Sequence, residues 1–180
     1  MSASLARMTD DTSDADVAVV RLFVGHAGSP VWFCGNVDLD ELLVDDELTR
    51  DLRAWEEDWY AGRELDTFEW IGPGPEIEHL RRGVDLAYRL SRALGSQVVV
   101  EVDPAVERTG EGAEAPVQRL RIRSDRPPSQ PAAAEQVAAW AAEDRAWREQ
   151  LRAASREGWS AYAPLSGESF PPGRRQRPRR

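Results

Sequence analysis

The sequence predicts an α+β fold in which three helices cover an antiparallel or mixed sheet of about four strands. Three observations predict it. Pro75 to Asp103 reads as a long amphipathic helix running straight into a β-branched strand. Asp16 to Val24 and Val117 to Arg123 are short apolar or alternating runs, and the segments 46–61 and 132–157 repeat apolar residues at helical spacing. Residues 16–160 are expected to form a single α+β domain, with a disordered polar leader at 1–15 and a disordered basic tail at 161–180.

In chain order, DVAVVRLFV (Asp16 to Val24) is bounded by polar residues and the GHAGSP turn, which suits a central strand. VWFC (Val31 to Cys34) is its return strand, and VDLDELLV then reads as one loose helical turn with acids between apolar positions. Asp45 caps a helix over Asp46 to Ala61, with Leu48, Leu52, Trp55 and Trp59 on one stripe and Gly62 as the stop. Arg53 is expected within reach of Glu57 on that helix. GRELDTFEWIGPGP is an irregular loop expected to be tucked against the core by Phe68 and Trp70.

In the next helix, 76–94, Ile77, Leu80, Val84, Ala87, Ser91 and Leu94 share one face, which Leu86 and Leu90 widen. Gly95 closes it where positive φ is needed. Gln97 to Val102 pairs as a hairpin with Val117 to Arg123, turning Leu120 and Ile122 one way and Arg119, Arg121 and Arg123 the other, with Glu101 opposite them. The proline-rich SDRPPSQP precedes a third helix, 132–157, whose apolar line of Val137, Trp140, Trp147, Leu151 and Ala154 is interrupted by Asp144.

All 23 basic residues are arginine. Without lysine the chain has no side-chain amine for Schiff-base chemistry, pyridoxal phosphate attachment or a P-loop. The single cysteine excludes an internal disulfide, and no apolar run reaches the roughly 20 residues that cross a bilayer. With no secretory leader pattern at the N-terminus, a cytoplasmic location is expected. The net charge of −9 is concentrated: residues 35–70 hold thirteen acids and three arginines, net −10, and the rest of the chain is nearly balanced. Such a segment repels a nucleic-acid backbone and steers a basic protein towards itself.

Pro30-Val31-Trp32, then VDLDELLVDDEL leading to Leu52 and Trp55, then LAYRLSRALG before a valine-rich strand, resembles a set of short uncharacterised actinobacterial proteins over about residues 19–102. The resemblance brings no activity and no catalytic residues with it.

Metal chemistry finds one candidate: Asn36, Asp38, Asp40 and Glu47 stand at positions 1, 3, 5 and 12 of a calcium-loop count. Glu41 occupies the sixth place, where the turn needs glycine. His26, His79 and Cys34 cannot complete a structural zinc site, and GHAGSP does not match the nucleophile elbow. Cys34 reads as an inert small hydrophobe in an apolar strand, and each histidine as a surface or half-buried side chain. Trp55, Trp59, Trp140 and Trp147 read as core, whereas Trp32, Trp70 and Trp159 lie where exposure would let them anchor an interface. The Arg119, Arg121 and Arg123 row has no interleaved aromatics, so the folded domain is not expected to bind nucleic acid.

The expected function is a non-enzymatic acidic binding protein, of adaptor, inhibitor or immunity type, that engages a basic protein partner and needs no cofactor or metal. The alternative is a small carboxylate-dependent hydrolase or metal-dependent enzyme. The partner-binding residues are expected to be Glu47, Asp51 and Asp58 on the flank of the first helix, with Asp38, Asp40 and Glu41 on its approach. Few arginines stand near these acids in sequence, so neutralising the helix row is expected to leave stability level or raise it.

Overall fold

The computed structural model describes residues 17–25, 28–64, 66–72, 74–105, 118–156, 161–163 and 168–170, the last two segments as backbone only. Four strands, β1 (Ala18–Leu22), β2 (Val31–Trp32), β3 (Val98–Val102) and β4 (Leu120–Arg123), form one mixed sheet in the order β2-β1-β3-β4. β1 runs parallel to β3, while β2 and β4 are antiparallel edges. Three helices, α1 (Asp46–Ala61), α2 (Pro75–Leu94) and α3 (Pro131–Arg156), complete the expected α+β arrangement. The chain forms two compact units, Met1–Ala138 and Ala139–Arg180, with α3 contributing to each.

In the first unit, register sorts side chains onto two faces. Val20 and Leu22 lie beside Val100 and Val102, and these in turn beside Ile122 and Leu120, on the face where α2 packs. On the other face Arg21, Glu101 and Arg121 stand side by side, and the Glu101 carboxylate bridges the arginines at 3.0 and 3.5 Å. The pairing expected between Glu101 and the arginine row is therefore formed, and Arg119 adds a bridge to Asp103 at 3.1 Å.

α2 is the central support because it contacts β3 and β4 on one side and α1 on another. Its buried residues, Leu86, Ala87, Leu90, Ser91, Ala93 and Leu94, follow helical spacing, and each fully buried leucine stabilises the fold by about 1.5–3 kcal/mol. Gly83 allows the α1 contact: a Cβ there would stand 2.6 Å from Cζ2 of Trp55. Gly95 ends α2 at φ +76 in a conformation that disfavours other residues, against the ring of Pro128. Asp45 caps α1 as the sequence implies, its carboxylate accepting from the Leu48 N–H at 2.8 Å. Gly62 ends that helix at φ −84, so positive φ plays no part there.

Several local expectations are corrected. β2 stops at Trp32, and the chain turns so that the Phe33 N–H reaches the Gly35 carbonyl at 2.8 Å. Cys34 is consequently exposed at φ +54 and is not packed in an apolar strand. Phe68, at φ +56, is also exposed, so Trp70 alone of that pair turns inward. Leu120 is 38% exposed although Ile122 beside it is buried, because β4 is an edge strand whose end has less cover.

In the second unit, Asp144 sits in the middle of the apolar line of α3 and pairs with Arg148 at 2.7 Å. A charged pair on that line keeps its surroundings solvated, and Trp147 is 59% exposed where core packing was expected. Two short strands, β5 (Ala161–Ala163) and β6 (Glu168–Phe170), pair antiparallel within the stretch expected to be a disordered tail. Each has only three residues, too short a run for periodicity to register. His26, Trp159, the leader at 1–15 and the arginine-rich end at 171–180 lie outside the described residues.

Candidate functional site

The six acids expected to bind a partner fall on two sides of α1. Glu47, Asp51 and Asp58 face α2, where Arg89 reaches Glu47 at 3.3 Å and Asp51 at 2.6 Å, and Arg82 pairs with Asp58. The Arg89 hydrogen bond, followed by its charge, holds the Asp51 carboxyl below the usual carboxylate range despite partial desolvation. The expectation that nearby arginines leave this row uncompensated is corrected. The compensating residues come from α2, more than twenty positions away in sequence, and arrive only when the helices pack.

Asp38, Asp40 and Glu41 lie on the opposite flank, in the loop before α1. Asp38 builds the loop: its carboxylate accepts from the Asp40 N–H at 2.9 Å and its carbonyl from the N–H groups of Glu41 and Leu42. This is the helical turn expected from VDLDELLV. Val37, Leu39 and Leu42 are buried beneath it, whereas Leu43 turns out at φ +59 and is 51% exposed. Arg53 pairs with Asp40 at 2.6 Å, in place of the expected Glu57. Loop and helix enclose a groove lined by Leu39, Asp40, Leu43, Asp46, Arg53 and Glu57, of about 510 Å³.

Sequence reasoning missed Leu43, Asp46 and Glu57 as members of this surface. A signal was present for Asp46 and Glu57, because Asp46, Arg50, Arg53 and Glu57 recur at helical spacing as a charged face of both signs opposite the Leu48, Leu52 and Trp55 stripe. Glu56 behaves differently. It is buried at 7% exposure, and burial pushes its carboxyl above the ordinary range.

Asn36, Asp38, Asp40 and Glu47 do not gather around a common centre. Asn36 donates to the Ser29 carbonyl at 2.7 Å, Asp40 serves Arg53, and Glu47 serves Arg89. Among the described residues no group of three or more histidines, cysteines, aspartates or glutamates is placed to hold a metal ion.

A second concavity, also about 510 Å³, opens at the carboxyl ends of the parallel strands β1 and β3. Its walls include Phe23, Trp55, Trp59, Leu80 and Val102, with Arg63, Trp70, Glu76 and His79 among them. The chain after α1 doubles back, Gly62 accepting from the Ile71 N–H at 2.9 Å and Glu69 from the Glu64 N–H at 2.9 Å, which sets Arg63 opposite Trp70. The Arg63 guanidinium carbon lies 4.4 Å from the Trp59 ring centre and 4.5 Å from that of Trp70, so the cation is held between two indoles. Trp55 stacks on His79 at 4.7 Å and donates through Nε1 to the His79 carbonyl at 2.9 Å.

Burial, with the charges of Arg63 and Arg82, pulls the His79 pKa down to about 4. Nε of Arg63, Nε1 of Trp70 and Nδ1 of His79 are all buried without a hydrogen-bond partner. Sequence reading assigned Trp70 a possible interface role and His79 an ordinary half-buried one, and it passed over Arg63 because its partners meet only through the hairpin after α1.

No helix among the described residues is long and apolar enough to cross a membrane. Neither a curated protein nor a solved structure matches the chain. Residues 18–105, which hold the three strands β1 to β3, the helices α1 and α2, the acidic segment and most of the cleft wall, match the family described as Serratia CdiI immunity protein-like.

Proposed function

We propose that the chain is an immunity-type binding protein whose acidic segment, residues 35–70, docks on a basic protein partner. The match of residues 18–105 to an immunity protein-like family carries this reading, because the matched stretch includes the whole acidic segment. Geometry refines the surface. Charges tied into ion pairs with Arg82 and Arg89 are partly compensated before any encounter, whereas Asp46 and Glu57 stand exposed in the groove wall with Leu43, and Glu41 is exposed on the loop that leads into it. The acids beside an exposed leucine supply long-range steering, which Arg50 and Arg53 in the same wall partly offset, and the leucine supplies desolvated contact.

The test starts with capture of the partner from native lysate, followed by stopped-flow association with the purified pair. The variant E41Q/D46N/E57Q is expected to slow association by about tenfold at low salt, with the difference fading as salt screens it. Leu43→Ala is expected to raise the dissociation rate instead. Association and dissociation rates unchanged in both variants would remove this surface from the binding function.

A further inference from the structure

We propose that the cleft at the carboxyl ends of β1 and β3 is a binding site for a small aromatic carboxylate, its ring packed among Phe23, Trp55 and Trp59 and its carboxylate held by Arg63. The volume falls in the range of small-molecule sites, and outside the carboxyl ends of parallel strands is where open sheets commonly receive ligands.

The choice of an anion follows from unmet donors. Arg63 makes no ion pair among the described residues; its one side-chain hydrogen bond runs from Nη1 to the Phe68 carbonyl, and its Nε is buried without an acceptor. Trp70 adds a second buried, unpartnered N–H beside it. Buried donors of this kind cost free energy until an acceptor meets them, and a guanidinium is the donor best matched to a carboxylate. The other arginine in the wall, Arg119, is already paired with Asp103.

Local electrostatics agree with that choice. Desolvation lowers the pKa of Arg63 itself, and the positive charges of Arg63 and Arg82 both act against protonation of His79. The first turn of α2, which gives Glu76 and His79 to the region, has no side-chain cap, so the positive end of its dipole adds to the field. Glu76, exposed in the same wall, opposes the field, and its carboxylate partly offsets the charge of Arg63. Arg63 is thus the wall arginine left without an ion-pair partner among the described residues. The choice of an aromatic body follows from the walls, where the rings of Phe23, Trp55 and Trp59 stand beside the aliphatic Leu22, Leu80 and Val102.

The experiment titrates the full chain with phenylacetate, phenylacetamide and phenethylamine, using tryptophan emission and calorimetry. Phenylacetate should bind saturably, the neutral amide about tenfold more weakly, and the amine not at all. Arg63→Gln should weaken phenylacetate by about tenfold or more. Glu76→Gln, an exposed position that leaves the packing intact, should tighten it several-fold, which keeps the idea testable if the Arg63 variant does not fold. NMR of His79 locates the ligand, since an anion beside Arg63 shifts the imidazole signals. Equal binding of amide and carboxylate, an unmoved His79, or no tightening in Glu76→Gln would overturn the proposal. Failure of the acidic groove to bind a protein would leave these readouts untouched.

Discussion

Gly83→Ala tests the contact on which the acidic helix depends. An added Cβ would lie 2.6, 3.1 and 3.4 Å from Cζ2, Cε2 and Cη2 of Trp55, a side chain only 3% exposed and unable to swing into solvent. Three terms decide the sign. Alanine in place of glycine favours the helix by about 1 kcal/mol. Overpacking against a fixed ring costs about 1–3 kcal/mol. Moving the indole also strains its hydrogen bond to the His79 carbonyl, worth about 0.5–1.5 kcal/mol.

Taking middle values, the substitution destabilises by about 2 kcal/mol, which lowers Tm by about 4–8 °C for a chain of this size. Urea unfolding followed by circular dichroism measures it, with Trp55→Phe as partner in a double-mutant cycle. The atoms that collide belong to the benzo ring, which phenylalanine lacks, so the pair of substitutions should show a coupling of about 1 kcal/mol in the favourable direction. A Gly83→Ala variant as stable as the parent, or strict additivity with Trp55→Phe, would refute the packing argument.

Three further outcomes are expected. Replacing Glu47, Asp51 and Asp58 by glutamine or asparagine should lower stability by about 1–2 kcal/mol at low salt, because exposed pairs with Arg82 and Arg89 contribute about 0.2–1 kcal/mol each; unfolding curves at several salt concentrations check the sign. Arg89→Gln should let the Asp51 pKa, now depressed first by its Arg89 hydrogen bond, return towards the ordinary value, which carboxyl NMR titration reads. His79 has a folded pKa of about 4 against 6.5 for the unfolded chain, so folding excludes its proton. Its contribution to stability is present above pH 6.5 and is lost as pH falls towards 4, a slope that should flatten in His79→Gln relative to the parent.

The sequence alone determined the elements whose causes are local. Helical spacing placed α1 at its observed limits and α2 and α3 within a residue of theirs, and Asp45 and Gly95 announced their roles because caps act on neighbouring backbone. Alternation in VQRLRIR likewise set which side of β4 carries arginine, and the mixed sheet followed from short β-branched runs around helical ones. Tertiary structure decided everything that joins distant residues. Arg89 is 38 positions from Asp51, and no local pattern marks it as that carboxylate's partner. The exposure of Cys34 and Leu43 turned on where the backbone takes positive φ, at 54 and 59, which the sequence pattern did not mark. The cleft arose the same way: Trp59, Arg63 and Trp70 come together because the chain folds back after α1, while His79 arrives on a separate helix. Periodicity records which face a residue takes on its own element, and a binding site requires several elements to bring those faces together.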